Sequence, residues 1–179
     1  LLVVIAIISI IAGFLVPTLL RGRGEAYKVQ CSNNLRQIYT PAMTYSDKKG
    51  TRAFPIAPGT EPRAHESLNL MIDFDSEGLQ PKLFICPEGE AEPAPEDDDK
   101  KFVLSAETLS YAWVAKRMRN TEQGKPLASD KYIDGFEDAD GTHAGHKKGL
   151  NQLSTDNSVV WVNESDLPED TKLPKGLTR

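Results

Sequence analysis

The sequence predicts an α+β protein in which one long N-terminal α-helix packs on a small antiparallel β-sheet head. Three observations point to this class. Leu1 to Leu20 form an uncharged run whose only hydroxyl groups are Ser9 and Thr18. Tyr27, Cys31, Leu35, Ile38, Ala42 and Tyr45 then recur at steps of four and three, the spacing of a single helix face. Near the other end, Gly149 to Val162 reads as two β-type runs around Asp156-Asn157, residue types that tolerate positive φ in a hairpin turn.

The apolar run comes first. At about 1.5 Å of rise per residue it spans roughly 30 Å as a helix, the thickness of a bilayer's hydrocarbon core. Residues 1–24 are therefore expected to form a transmembrane helix, its surface made by Leu1, Leu2, Val3, Val4, Ile5, Ile7, Ile8, Ile10, Ile11, Phe14, Leu15, Pro17, Leu19 and Leu20. A secretory signal peptide is the rival reading. Its apolar region usually covers only about 7–15 residues and closes at a small-residue cleavage site, whereas this run ends in Pro17-Thr18-Leu19-Leu20 before arginines. Arg21, Arg23 and Lys28 lie where the run ends, and the positive-inside rule places such a flank in the cytoplasm. That conflicts with an exported head unless residues upstream of Leu1 set the topology.

Residues 25–48 continue the same helix as its amphipathic half, so a nearly continuous helix is expected to about Ser46. Two places should disturb it. Gly13, Pro17 and Gly22 mark a region of local unwinding, because proline removes a backbone donor and clashes with the carbonyl four residues earlier. Pro41 sets a kink, or an early end near Tyr39, as the alternative to a straight course.

Residues 49–179 make up the head. Asp47 to Pro62 is loop-like, with three prolines and two glycines. His65 to Phe74 reads as a short helix ended by Gly78, and Leu83 to Cys86 as a short strand stopped by Pro87. Glu88 to Lys101 is an acidic, solvated, mobile loop, and its aspartates 97–99 are read as solubilising. Thr108 to Val114 alternates and carries Tyr111 and Trp113, the pattern of a central strand. Residues 120–149 are loop-like, the hairpin follows, and the tail from Asn163, with Pro168 and Pro174, returns to loop. Trp113 and Trp161 are assigned to the core, each with an indole N–H that needs a partner.

Composition limits the remainder. The chain has 179 residues and a formal charge of −5, so the head has room for one modest domain, and scattered, outnumbered basic residues exclude a nucleic-acid surface. Cys31 and Cys86 are the two cysteines. In an oxidising compartment they could form a disulfide, closing a loop worth roughly 4 kcal/mol on the chain-entropy account; two unpaired buried thiols are the other reading.

The N-terminal stretch LLVVIAIISIIAGFLVPTLLRGRGEA resembles the start of type IV pilins and type II secretion pseudopilins, with Pro17 where many pilins have a helix-melting proline. Those chains open with an aromatic or Met, then TLIE, which places Leu1 just after that glutamate. Further islands resemble a subgroup of pilin-like proteins: CSNNLRQI from Cys31 to Ile38, GTRAFP from Gly50 to Pro55, Cys86-Pro87, and the terminal HKKGLNQLSTDNSVVWV. Asn157 and Ser158 replace the glycine and histidine of the subgroup's hairpin. The resemblance implies a structural subunit of a pilus-like extracellular filament whose apolar helix is both membrane anchor and filament core. A pseudopilin is the alternative within the same fold; a monomeric membrane-anchored binding protein is the alternative outside it. Implied partners are copies of the chain in a helical polymer, the inner-membrane assembly machinery and the prepilin peptidase, with prepilin processing and methylation. The implied location is the inner membrane before assembly, then an extracellular filament or a periplasmic pseudopilus.

No nucleophile motif, phosphate loop or paired-cysteine metal signature is present, and His65, His143 and His146 lack a nucleophile at recognisable spacing, so the reading is not an enzyme. The nearest thing to a site is Asp138-x-Asp140-Gly141-Thr142-His143-x-x-His146, whose Asp138, Asp140, His143 and His146 are weak metal candidates. Related pseudopilins carry a calcium loop near the C terminus, and Asp134, Glu137, Asp138 and Asp140 offer oxygen ligands of that kind. A solvated loop is the preferred reading. Asn163-Glu164-Ser165 has the form of a glycosylation acceptor.

Overall fold

The computed structural model describes residues 2–89, 91–132, 145–146, 149–167 and 177–178, with residues 2, 6, 16–21, 131–132, 145 and 178 described by backbone alone. Leu1 lies outside the described residues, as do the side chains of Leu2, Pro17, Leu19 and Leu20. Helix α1 runs from Leu2 to Lys48, 47 residues or about 70 Å. It reaches slightly beyond the expected Ser46 and is unbroken through Gly13, Pro17, Gly22 and Pro41. The expected unwinding and the early end near Tyr39 are therefore absent. A helical proline forfeits one hydrogen bond, and the remaining hydrogen bonds of the long helix on either side hold the ladder. Around Pro41, burial of Ile38, Ala42 and Ser46 keeps the helix on the head across the defect.

The two halves of α1 meet different surroundings. From Val3 to Leu15 every described large apolar side chain is at least half exposed, between 51% for Ile5 and 77% for Phe14. Cys31, Leu35, Ile38 and Ala42 are buried in the head. Among the described residues no helix is long and apolar enough to cross a membrane, so the span expected over residues 1–24 is not found there.

In the head, α2 occupies Ala64–Phe74, one residue longer at its start than expected. The amide of Arg63 donates to Glu66 Oε2, while Leu68, Met71 and Ile72 face the core. The helix stops at Asp75 rather than Gly78, which takes positive φ (79°) in the turn that follows. Leu83 to Cys86 is not a strand. Pro81–Phe84 form a 3-10 turn, because Pro81 presets the first turn and Phe84 is drawn into the core. The acidic segment is more ordered than a solvated loop: Asp97 Oδ1 accepts the amides of Asp99 and Lys101, and Ala94 and Phe102 are buried.

The sheet contains β1 (Tyr111–Val114), β2 (Pro126–Tyr132), β3 (Gly145–His146), β4 (Gly149–Ser154), β5 (Val159–Asn163) and β6 (Leu177–Thr178). Antiparallel pairing gives the order β5-β4-β2-β1-β6, and the two-residue β3 runs parallel beside the end of β2. β1 is buried along its whole length, and Trp113 donates its indole N–H to the Pro55 carbonyl at 2.7 Å. The β4–β5 hairpin has the expected turn, with Asn157 at φ 63°. Two expectations fail here. Residues 120–149 hold β2, a central strand whose Ser129 and Asp130 are buried polar residues and so masked its pattern. The tail contains a 3-10 turn at Glu164–Asp166 and β6. Pro168 and Pro174 lie outside the described residues.

Helix α1 lies against this sheet and α2. Tyr45 meets Phe74 edge-on with ring centroids 5.5 Å apart, and the Tyr39 hydroxyl donates to the Thr155 carbonyl at 2.7 Å. Leu35, Leu68, Phe84, Tyr111, Trp113, Leu127 and Leu153 belong to one continuous core.

Candidate functional site

Five separate segments deliver polar side chains to one point beneath the helix. Cys31 comes from the buried face of α1. Cys86 follows the 3-10 turn, where Pro87 prevents continuation, and Glu88 lies two residues on. Asp130 stands on β2, His146 on β3 and Asn151 on β4. Cys31, Cys86, Asp130 and His146 each have no exposed surface.

The sulfur atoms of Cys31 and Cys86 are 3.0 Å apart and both cysteines are free, so the structure holds two buried thiols rather than a disulfide. Cys86 Sγ is 3.7 Å from His146 Nε2, which is 3.3 Å from Asp130 Oδ2. The other ring nitrogen, Nδ1, meets Glu88 Oε2. Asn151 secures the carboxylate of Asp130: its backbone amide donates to Oδ1 at 2.5 Å and its side-chain amide to Oδ2 at 2.8 Å. On the opposite side, Asn34 Nδ2 donates to the Ile85 carbonyl and to the Tyr111 hydroxyl. The ring of Trp161 leans over His146 at 5.9 Å between centroids and has Lys28 Nζ 4.4 Å from its own centroid. Trp161 is thus a half-buried cover for the cluster rather than a core residue like Trp113.

Mutual proximity sets the protonation of the cluster. The hydrogen bond from Cys31 lowers the Cys86 thiol to about 5, against its own burial and with help from His146. Cys31 is pushed far up by that same bond and by burial. Burial opposes a charge on His146, yet Asp130 and Cys86 outweigh it and raise the imidazole to about 11. Asp130 is held above the usual carboxylate range by burial, with His146 and Asn151 pulling the other way. The result is a buried chain of interacting groups, Cys31–Cys86–His146–Asp130. Cys31, Cys86, Asp130 and His146 are fully buried, while Glu88 reaches the surface.

The expected site residues divide accordingly. Cys31 and Cys86 are adjacent, as required for either cysteine reading. His146 is buried, with the Cys86 sulfur 3.7 Å from its Nε2. Asp138, Asp140 and His143, with Asp134 and Glu137, lie outside the described residues. Asp130, Glu88 and Asn151 went unnoticed in the sequence. A cysteine pair separated by 55 positions has no metal-binding spacing, and Asp130 sits in a strand too polar to recognise. Cys31, Cys86, His146 and Asn151 fall within the segments Cys31 to Ile38, Cys86-Pro87 and His146 to Val162, which stand out in the sequence. Comparison with known protein families, characterised proteins and solved structures finds no match for the chain.

Proposed function

We propose that the chain is a structural subunit of a type IV pilus-like filament, polymerising through its apolar N-terminal helix. The supporting observation is the contrast within α1. One continuous helix is buried at Cys31, Leu35, Ile38 and Ala42 and has nine large apolar side chains from Val3 to Leu15 in the open. Apolar burial is worth about 25 cal/mol per Å², so such a surface strongly favours an apolar neighbour. In the sequence the uncharged run extends to Leu20, long enough to rest in the inner membrane before assembly. Leaving lipid for a bundle of identical helices then exchanges one apolar environment for another. The partners are copies of the chain, the inner-membrane assembly machinery and the prepilin peptidase. The head faces outward, and no catalytic step is assigned to it.

Mechanically shearing cells that express the full chain and imaging the released material with an antibody to the head tests this reading. Long labelled fibres are the expected result. Labelled material that stays with the cells as short periplasmic assemblies would favour the pseudopilin reading, and a monodisperse monomer would overturn both.

A further inference from the structure

We propose that Cys31, Cys86, His146 and Asp130 form a buried tetrahedral site for a divalent transition metal, zinc in the first instance, that fastens α1 to the sheet. The two thiol sulfurs and an imidazole nitrogen lie within 4.8 Å of one another. Asp130 stands outside that triad with Oδ2 3.3 Å from the nitrogen, and a side-chain shift toward the sulfurs would make it the fourth donor. Two sulfurs, a nitrogen and an oxygen form a donor set suited to zinc, which prefers four ligands and mixes thiolate with imidazole.

Ordinary zinc bond lengths permit a direct comparison. A tetrahedron with Zn–S of about 2.3 Å and Zn–N and Zn–O of about 2.1 Å has edges of roughly 3.6 Å for S···N, 3.4 Å for N···O and 3.8 Å for S···S. The structure has 3.7 Å from Cys86 Sγ to His146 Nε2 and 3.3 Å from Nε2 to Asp130 Oδ2. Of these three edges the sulfur–sulfur one is short, at 3.0 Å, and rotation of a cysteine side chain would lengthen it. The surrounding groups are also those of a metal centre. Glu88 engages His146 Nδ1, leaving Nε2 for the ion, and Asn151 orients both Asp130 oxygens.

Charge supports the same assignment. His146 already stands between Asp130 and Glu88; a divalent ion would take over that compensation, binding neutral imidazole and the two cysteines as thiolates beside the buried carboxylate. A disulfide would account for Cys31 and Cys86 but not for the imidazole nitrogen that Cys86 Sγ approaches at 3.7 Å. The inference does not depend on filament assembly, because every group involved belongs to one chain.

The test is metal analysis of the purified full chain, kept reduced, with cobalt(II) as the optical probe. About one zinc per chain is expected, and cobalt should give thiolate charge-transfer and tetrahedral ligand-field bands. Cys86→Ser should abolish the charge-transfer intensity contributed by that sulfur. Glu88→Gln, a partly exposed change that leaves all four ligands in place, should keep the fold and weaken affinity by about 10–100-fold. Reduced, folded chain that takes up neither zinc nor cobalt would overturn the proposal. So would chain isolated from its native compartment with Cys31 and Cys86 fully joined in a disulfide.

Discussion

The side-chain amide of Asn151 donates to the backbone carbonyl of Lys28 at 3.0 Å, joining positions 123 residues apart. The same amide also holds Asp130, so one residue of β4 ties the helix to the centre of the sheet. Lys28 in turn places its ammonium over Trp161 of β5. The C-terminal hairpin therefore grips α1 at the point where the helix leaves the head.

Replacing Asn151 should loosen that grip. Asn151→Ala removes one side-chain hydrogen bond to the buried Asp130 carboxylate and one to the Lys28 carbonyl, and a loss of about 1–3 kcal/mol is expected. Asn151→Asp should cost more, since it sets a second carboxylate against Asp130. Urea denaturation of the two variants beside the parent chain checks the order; equal stability of all three would refute the role.

Packing of the amphipathic half is tested by two positions on one helix. Leu35 is fully buried, and Leu35→Ala should lower stability by about 2–5 kcal/mol. Leu35→Asp should prevent the head from folding, because an unpaired charge would be enclosed in the core. Val29 is 61% exposed, and Val29→Ala should stay within about 0.5 kcal/mol of the parent. Thermal melts that failed to separate Leu35→Ala from Val29→Ala would contradict the packing.

Gly149 is confined by contact rather than by flexibility. A Cβ there would lie 2.4 Å from the Val162 carbonyl oxygen and 2.7 Å from the Trp161 ring, while pairing to Asn163 prevents the strand from moving away. Gly149→Ala should therefore destabilise by about 1–3 kcal/mol. Val160→Ala, on the exposed face of the same hairpin, should be close to neutral. Chemical denaturation distinguishes them.

Elements whose burial follows a simple period were legible in the sequence. Cys31, Leu35, Ile38 and Ala42 repeat at helical spacing and are buried together, and the Asp156-Asn157 turn marks its hairpin. β2 was not legible, because Ser129 and Asp130 are polar residues at buried positions and their reason for being there lies on other elements. The same strand supplies Asp130, so overlooking the strand meant overlooking the site. Leu83 to Cys86 misled in the opposite sense: an apolar run signals burial but not backbone shape, and Pro81 decides the shape. At Pro17 and Pro41 local propensity was outweighed by the helix on either side.

The exposed half of α1 carries the central claim, and Ile8→Arg tests it most directly. Ile8 is 59% exposed and far from the head, so the substitution should leave the melting temperature of the head unchanged. With equal amounts of membrane-associated chain, sheared cells should yield labelled fibres from the parent and none from Ile8→Arg. Fibres in equal number from both chains would show that the apolar helix is not the assembly surface.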